Sequence, residues 1–324
     1  MRVPRFRLRD KPVLGTALVA AAAVTIGASL AALGGQAWWG LELFTHFRAQ
    51  YLAAQVVLFA LLLTQRRLRW CFALGACAVL NAVPLVPYVP VGAAAVADAA
   101  GAAGAVEIMS VNVQARNTRH ERLLEIVREA SPDVVVVVEF THRWQRLLSP
   151  LYHEYPHRLL LPEEHAFGIA LLSRHPLIEA DPLELETTPA IDARIDGPQG
   201  AFRLIGVHLR PPTGPALAAE RNRQLAQLAE LRRSIDEPLA VVGDFNVTPY
   251  SPHMADWLLE TGLRDARGGR GPGFSWPTFL PILGIPIDHC IVSPEFTVVG
   301  FERLPRFGSD HYPVLARLML ERGS

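Results

Sequence analysis

An uncharged run near the start of the chain limits what this sequence can fold into. Residues 13–35 contain no charged side chain and consist largely of Ala, Val, Leu and Gly. At a rise of about 1.5 Å per residue, a helix of this length crosses a hydrocarbon core of about 30 Å. A cleaved signal peptide is the alternative, but the run is long for one and further apolar runs follow it. We therefore expect a transmembrane helix.

Two more apolar runs follow before residue 92. Residues 70–91 are long enough to cross a membrane, whereas residues 51–64 are too short unless the helix also includes residues 44–50. The sequence alone does not decide whether the middle run, residues 51–64, crosses the membrane. With three crossings, residues 1–91 would form a membrane region, and an Ala/Gly-rich linker over residues 92–105 would join it to a domain spanning residues 106–324.

Positive charge is concentrated at two places in this first region. Residues 1–105 hold nine Arg or Lys and three Asp or Glu, a net charge of +6, so the chain totals of 31 each leave residues 106–324 with a net charge of −6. Positive residues next to membrane spans favour the cytoplasmic side. We therefore predict a multi-pass cell-membrane protein whose domain lies outside the cytoplasm. The positive residues are Arg2, Arg5, Arg7, Arg9 and Lys11 before the first run, and Arg66, Arg67 and Arg69 before the third.

The remaining chain alternates between strand and helix patterns. Five consecutive valines at residues 134–138 are typical of a strand buried on both faces. Residues 218–235 have Leu and Ile at helical spacing and lead directly into the apolar run at residues 239–242. This alternation predicts a layered α/β domain. The other predicted strands are residues 106–113, 168–173, 202–208, 285–292 and 314–320, and the other predicted helices are residues 118–130 and 254–261.

The segment L-A-V-V-G-D-F-N-V-T-P, residues 239–249, places two polar side chains at the end of a buried strand. Gly243 allows the backbone to turn before Asp244 and Asn246. Residues two positions apart point the same way on an extended chain, so this pair could share an anion or a metal-bound water. An Asx turn that closes the strand would use the same residues. The segment alone does not decide between the two.

Other predicted strands also carry a polar residue where they end or begin. Asn112 and His208 end two strands, and Glu139 follows the valine run. A carboxylate at the end of a buried strand needs a cation near it, unless that strand end is solvated. His208 alone is as consistent with a structural role, and Asp288 with a backbone turn. The pair Asp310 and His311 precedes the last strand and could act as a general base with a carboxylate beside it.

This set of side chains favours phosphate chemistry if the strand ends meet at one edge. The carboxylates suit a hard cation such as Mg²⁺, because no Cys cluster or His-x-x-x-His spacing indicates zinc. Such a cation neutralises phosphoryl oxygens, and a histidine supplies a base or an acid. The three cysteines, Cys71, Cys77 and Cys290, provide no disulfide framework for the domain.

Residues 106–320 resemble the endonuclease/exonuclease/phosphatase superfamily, which includes DNase I. The resemblance rests on the motifs S-V-N-V, V-V-V-E-F, G-V-H-L, G-D-F-N, I-D-H and G-S-D-H-Y-P, which occur in the family's order. It implies a DNase I-like four-layer α/β sandwich, two sheets between helices, with a Mg²⁺-dependent phosphohydrolase site at one end. Mn²⁺ is an alternative cation.

The resemblance also implies a role for each matching residue. Three of them would hold the metal, and five would act on the substrate or on the attacking water, with His311 oriented by Asp288. Whether Asp244 or His311 acts as the base is left open. The implied metal residues are Asn112, Glu139 and Asp310, and the implied catalytic residues are His208, Asp244, Asn246, Asp288 and His311.

The membrane region sets this chain apart from soluble nucleases. A domain of net charge −6 should repel DNA, so nucleic acid is the less expected partner. The layout is similar to membrane-anchored bacterial members of the superfamily, which imply a lipid-linked phosphate such as a polyprenyl diphosphate as substrate. The sequence indicates no protein partner. Two rival hypotheses remain: a metal-dependent nuclease, and a pseudoenzyme that binds a phosphorylated ligand.

Overall fold

The computed structural model describes residues 12–90 and 104–321. The chain divides into two units, Met1–Val86 and Pro87–Ser324. The positive residues that precede the first apolar run, and most of the linker predicted at residues 92–105, lie outside the described residues.

The described part of the first unit contains four α-helices: α1 (Pro12–Ala31), α2 (Trp39–Glu42), α3 (Arg48–Thr64) and α4 (Leu68–Ala82). Among the described residues, three helical segments are long and apolar enough to cross a membrane: Val13–Gly34, Trp39–Thr64 and Leu68–Tyr88. The middle segment has 26 residues because short helical turns continue the helix back to Trp39. The run at residues 51–64, which looked too short in the sequence, is therefore only the second half of a longer helical segment.

A buried polar network connects the helices of this unit. Asn81 on α4 donates its amide N–H groups to Ser29 Oγ on α1 at 2.8 Å and to Gln55 Oε1 on α3 at 3.1 Å. Gln55 in turn donates to Ser29 Oγ, and Arg48 donates to Asn81 Oδ1. Polar side chains in apolar helices commonly pair with one another across helix interfaces. This network therefore stabilises the packing of all three long segments.

Residues 104–321 of the second unit form two six-stranded sheets. In the first sheet the strand order is β11-β12-β1-β2-β4-β3, and in the second it is β5-β6-β7-β8-β10-β9. The strands are β1 (Val106–Asn112), β2 (Val134–Val138), β3 (His157–Leu161), β4 (Ile169–Ser173), β5 (Leu177–Leu185), β6 (Thr188–Gly197), β7 (Gly200–His208), β8 (Leu239–Asp244), β9 (Arg264–Asp265), β10 (Asp288–Val292), β11 (Phe296–Arg303) and β12 (Val314–Leu320).

The valine strand β2 shows how the layers form. Val134, Val136 and Val138 face the opposite sheet and belong to the core between the two sheets. Val135 and Val137 point the other way and pack against helices. Because successive side chains on a strand alternate in direction, a strand covered on both faces needs an apolar residue at every position.

Helices cover the outer face of each sheet. The helices are α5 (His120–Ala130) and α6 (His142–Leu147) on the first sheet, and α7 (Pro215–Arg233) and α8 (Pro252–Thr261) on the second. The order of layers is helix, sheet, sheet, helix. The predicted four-layer α/β sandwich is confirmed.

The structure differs from the sequence prediction at helix ends and at several strands. Helix α5 begins at His120 rather than at residue 118, and α7 spans Pro215–Arg233 rather than residues 218–235. Strands β3, β5, β6, β9 and β11 were not predicted. In β5 only Leu185 is fully buried, and Pro182 interrupts its sequence pattern, as is typical of an edge strand.

Candidate active site

In the first sheet, four predicted site residues lie at one edge because of strand direction. Asn112 ends β1, and Glu139 follows the last residue of the parallel neighbour β2. Strand β12 runs antiparallel to β1 and begins at Val314. Asp310 and His311, in the loop before β12, therefore lie at the same edge as Asn112 and Glu139.

The second sheet brings three more site residues to the same place. His208 and Asp244 pair at the ends of the parallel strands β7 and β8, and Asp288 begins the antiparallel strand β10 opposite Asp244. Asn112 Nδ2 lies 3.1 Å from Asp244 Oδ2. A direct hydrogen bond therefore joins the site residues of the two sheets.

Gly243 allows β8 to reach this edge in close contact with β7. Its φ is +148°, and a Cβ atom at this position would lie 1.8 Å from the carbonyl oxygen of Val207. Any side chain would force the two strands apart, so this position requires glycine. The residue immediately before Asp244 thus determines where the carboxylate is placed.

Asp244 forms the Asx turn considered from the sequence. The backbone N–H of Asn246 donates to Asp244 Oδ1 at 2.9 Å, and the side-chain amide of Asn246 donates to the carbonyl of Leu209 at 2.9 Å. Within the described residues, the side chain of Asn246 forms no hydrogen bond with another predicted site residue. Both Asn246 and Glu139 adopt left-handed backbone conformations, with φ of +52° and +58°. Such strained non-glycine conformations cluster at functional sites.

His311 lies between two carboxylates. Its Nδ1 is 2.8 Å from Asp288 Oδ2, and its Nε2 is 3.7 Å from Asp244 Oδ2. All three side chains are buried. With Asp288 accepting the proton of Nδ1, the Nε2 atom points toward Asp244 and the rest of the site.

These three groups shift one another's pKa. Burial lowers the pKa of His311, but Asp288 and Asp244 outweigh this effect and raise it to about 10. Burial and the neighbouring Asp288 raise the pKa of Asp244. Burial also acts to raise the pKa of Asp288, but His311 more than compensates and holds it below its usual range. At neutral pH the site thus contains an imidazolium paired with the ionised Asp288.

Asn112 links the catalytic cluster to Glu139. Its Nδ2 lies 3.1 Å from Glu139 Oε1, and its Oδ1 accepts the backbone N–H of Gln114 at 2.9 Å. Glu139 Oε2 accepts the backbone N–H of Ala115 at 2.8 Å. In this orientation the amide of Asn112 directs N–H groups at the carboxylates, so its oxygen would face a cation only after the amide turned over.

Glu139 and Asp310 line a cleft with a volume of about 890 Å³ beside this cluster. Asp310 Oδ2 accepts the indole N–H of Trp276 at 3.1 Å. Within the described chain its Oδ1 is buried and has no hydrogen-bond partner. A buried carboxylate oxygen without a donor, next to a second carboxylate, fits a hard divalent cation.

A second group in the described residues could also hold a metal ion. Asp244, Asp288 and His311 can place one ligand atom each within 4.8 Å of the others. However, the hydrogen bond to Asp288 and the raised pKa of His311 make this a proton-binding group, and a protonated histidine repels cations. We therefore favour Glu139 and Asp310 as the cation side of the site.

His208 is held at the edge of the site by an aromatic stack. The ring of Phe167 stacks on its imidazole with 5.0 Å between centroids. The guanidinium of Arg210 also contacts the Phe167 ring, at 4.0 Å from its centroid. Its Nε2 is 3.7 Å from Asp244 Oδ2. Burial and the nearby His311 lower the pKa of His208 to about 4. His208 is therefore neutral at pH 7, unlike His311.

The structure adds supporting residues that sequence reasoning did not identify as part of the site. Ser309 Oγ donates to the carbonyl of Asn112 at 2.8 Å and accepts the backbone N–H of His311 at 3.1 Å. Ser275 Oγ accepts the backbone N–H of Asp288 at 3.2 Å. Ser309 belongs to the G-S-D-H motif, which was a signal for its role. Ser275 and Trp276 had no such signal.

The family comparison agrees with this arrangement. The sequence model of the Endonuclease/Exonuclease/phosphatase family matches residues 109–311, which is more than half of the chain. This range includes every predicted site residue. The chain belongs to the endonuclease/exonuclease/phosphatase family. Members of this family are hydrolytic enzymes of the phosphoesterase type and depend on divalent metals. The family resemblance inferred from the motifs is confirmed.

Solved structures of the family share the fold of the second unit. An endonuclease/exonuclease/phosphatase from Beutenbergia cavernae is 23% identical with a TM-score of 0.55, over 68% of this chain and 72% of that chain. D. rerio TDP2 complexed with single-strand DNA product is 17% identical with a TM-score of 0.58, over 67% of this chain and 100% of that one. Sphingomyelinase C from Streptomyces griseocarneus is 16% identical with a TM-score of 0.52, over 66% and 99%.

At these identities the structural likeness establishes the fold alone. One of these structures contains a single-strand DNA product, and another is a sphingomyelinase. A sequence search of curated proteins gave no significant match. The substrate of this chain must therefore be argued from its own residues.

Proposed function

We propose that this protein is a membrane-anchored, divalent-metal-dependent phosphohydrolase that cleaves a phosphoester or a diphosphate. The observation that most supports this is the placement of His311, which Asp288 orients and whose Nε2 faces Asp244. The cleft with Glu139 and Asp310 begins beside this cluster. An acid, a base and a cation site on one edge are the groups that phosphoryl transfer to water requires.

Glu139 and Asp310, with Asn112 beside them, would hold the ion, for which Mg²⁺ is the first candidate and Mn²⁺ the second. A bound divalent ion would neutralise the charge of the phosphoryl oxygens and lower the pKa of a water molecule. Asn112 supports this site by donating to Glu139 Oε1, which fixes the direction of that carboxylate.

The protein's own proton transfers follow from the pKa shifts. Asp244 Oδ1 is occupied by the N–H of Asn246, so Oδ2 accepts the proton of the attacking water. The raised pKa of Asp244 makes it a stronger base than an ordinary aspartate. His311, protonated and held by Asp288, donates its Nε2 proton to the leaving oxygen. His208 and the second amide N–H of Asn246 would donate to phosphoryl oxygens.

The cleft supports an anionic substrate larger than one phosphate. Arg116, Arg143 and Arg146 line it together with His142 and His165. Arg116 and Arg146 are exposed, and neither forms an ion pair with another described residue. Glu163 and Glu164 line it as well, so the arginine side chains are the groups that can bind a second phosphoryl group. We therefore favour a diphosphate, and, because of the apolar segments of the same chain, a polyprenyl diphosphate in particular.

The membrane setting is part of this proposal. We infer that the three apolar segments cross the membrane and that the catalytic domain lies on the outer face, with a membrane region at residues 1–91, a linker at 92–105 and a catalytic domain at 106–324. A reporter fused after residue 91 should behave as exported. A reporter active only in the cytoplasm would contradict this topology.

A substrate panel tests the proposed activity. The purified full-length protein is assayed for phosphate release with Mg²⁺, Mn²⁺ or EDTA on a polyprenyl diphosphate, para-nitrophenyl phosphate and plasmid DNA. We expect metal-dependent hydrolysis of the diphosphate. Preferred cleavage of DNA, with binding that weakens steeply as salt rises, would favour the nuclease hypothesis instead. Binding of the phosphorylated ligands without turnover would favour the pseudoenzyme.

A further inference from the structure

An apolar projection leaves the domain next to the active site. Trp276 and Ile285 form an antiparallel bridge, with N···O distances of 3.1 and 2.6 Å, that closes its base. Between them the chain forms a short 3₁₀ turn over Pro281–Leu283. We refer to residues 277–284 as the apolar loop.

The tip of the apolar loop exposes large hydrophobic side chains to solvent. The exposed fractions are 67% for Phe279, 42% for Leu280, 76% for Ile282 and 44% for Leu283. No charged residue occurs between positions 275 and 287. Contiguous exposed apolar side chains on a folded domain mark a surface that binds something else.

Hydrogen bonds connect the base of the apolar loop to Ser309 and Asp310 of the site. Trp276 Nε1 donates to Asp310 Oδ2 at 3.1 Å, and the backbone N–H of Thr278 donates to the carbonyl of Asp310 at 2.8 Å. Thr278 Oγ1 also donates to the carbonyl of Ser309 at 2.8 Å. Whatever the tip binds is therefore held next to the site.

We propose that the apolar loop inserts into the surface of a lipid bilayer and that the active site takes a phosphorylated amphiphile from that bilayer. The second half of this inference rests on the proposed phosphohydrolase function, and the first half does not. The loop thus makes lipid solubility, in addition to the phosphate group, a requirement for the substrate.

Two features of the chain favour a bilayer as the binding surface. The same chain contains three helical segments long and apolar enough to cross a membrane, the last of which ends at Tyr88. The second unit begins at Pro87, so the domain follows these apolar segments directly in the sequence. An exposed tip of Phe, Leu and Ile within an uncharged stretch of sequence also suits a lipid interface, where apolar side chains enter the boundary between headgroups and acyl chains.

Fluorescence quenching tests membrane contact without relying on activity. Ile282→Cys in the full-length chain is labelled with an environment-sensitive fluorophore and reconstituted into phosphatidylcholine vesicles with or without brominated phosphatidylcholine. The three native cysteines are buried, and labelled wild-type protein gives the background. Ile178→Cys is the matched control, because Ile178 is 47% exposed and lies in β5 near the end of the sheet remote from His208.

We expect the label at position 282 to be quenched by the brominated lipid and the label at position 178 to be unaffected. Equal emission with and without brominated lipid at position 282 would overturn the proposal. Protection of that label by self-association or by another protein, in the absence of lipid quenching, would overturn it as well.

An activity comparison tests the amphiphile requirement. The double variant Phe279→Ser with Ile282→Ser is compared with Ile178→Ser on a polyprenyl diphosphate in vesicles and on para-nitrophenyl phosphate in solution. Only the loop variant should lose vesicle activity, by about tenfold or more, while both keep the soluble activity. Equal losses on the two substrates would contradict the requirement. A wild-type protein inactive on every phosphate compound would instead refute the phosphohydrolase function, and quenching alone would then decide membrane contact.

Discussion

His311 Nδ1 lies 2.8 Å from Asp288 Oδ2, although the two residues are 23 positions apart and belong to different sheets. Asp288 begins β10 of the second sheet, and His311 precedes β12 of the first. The hydrogen bond therefore depends on the packing of one sheet on the other. The hydrogen-bonded pair of Asp288 and His311 therefore forms only when the two sheets are packed together.

Replacing Glu139 with Gln tests the cation side of the site. The change keeps the shape of the side chain and removes its charge, so the affinity for Mg²⁺ should fall while the fold survives. Isothermal titration with Mg²⁺ and the metal dependence of turnover, with circular dichroism as the check on folding, measure this. Unchanged metal affinity in Glu139→Gln would remove Glu139 from the proposed metal ligands.

The cleft arginines should contribute to binding rather than to the chemical step. We expect the double variant Arg116→Gln with Arg146→Gln to raise KM for a diphosphate by about tenfold or more. It should change kcat little, because these arginines would bind the second phosphoryl group and take no part in proton transfer. The double variant Arg128→Gln with Arg233→Gln is the charge-matched control, because both residues are exposed, form surface ion pairs and do not line the cleft. A KM equal to that of the control would show that the cleft does not bind the substrate.

A single methyl group at Gly243 should destabilise the domain. In Gly243→Ala the new Cβ would lie 1.8 Å from the Val207 carbonyl oxygen, and the φ of +148° would be strained. We expect a loss on the order of 3 kcal/mol or more in the free energy of unfolding. Gly214→Ala is the control, since its Cβ would have no atom within 4 Å. Similar melting temperatures for the two variants would contradict this explanation.

His289, which has no catalytic role in our scheme, should make stability depend on pH. Its Nε2 donates to the carbonyl of Val247 at 2.8 Å, and its Nδ1 accepts from Arg267, which is paired with Asp265. Burial and Arg267 lower the pKa of His289, so the folded protein favours the neutral ring. Its contribution is complete above the unfolded pKa of about 6.5 and is lost as the pH falls below that value.

The variant His289→Gln isolates this effect. The stability difference between wild type and variant should shrink below pH 6.5, by at most about 1.4 kcal/mol per pH unit. Denaturant unfolding from pH 8 to pH 5 measures the difference, and the other histidines cancel because both proteins contain them. Parallel stability curves across this range would show that His289 does not titrate as proposed.

The sequence predicted the parts of the fold in which one local pattern decides the structure. The run at Val134–Val138 is apolar at every position, which predicts a strand covered on both faces. The position of Glu139 at the end of that strand follows directly. Strand β6 includes Pro189 and alternates with charged residues, and its partner β5 is largely exposed. Strand β5 at the edge of its sheet and β6 beside it are specified by their neighbours rather than by their own hydrophobic pattern.

The supporting contacts could not be predicted, because each joins segments far apart in the chain. Nothing near Trp276 in the sequence indicates Asp310 as its partner, and nothing near Asn81 indicates Ser29 or Gln55. The family motifs marked the residues of the site one by one. Only the packing of the two sheets determines the distances among them, and so the difference in pKa between His208 and His311.

The double-mutant cycle of Asp288 and His311 tests the central claim most directly. Turnover of the best substrate is measured for wild type, Asp288→Asn, His311→Ala and the double variant, with folding checked for each. Because the two residues act as one acid group, each single change should reduce kcat by about 10² to 10⁴. The kcat of the double variant should be only slightly below that of the less active single variant. Losses that multiply in the double variant would contradict the pair.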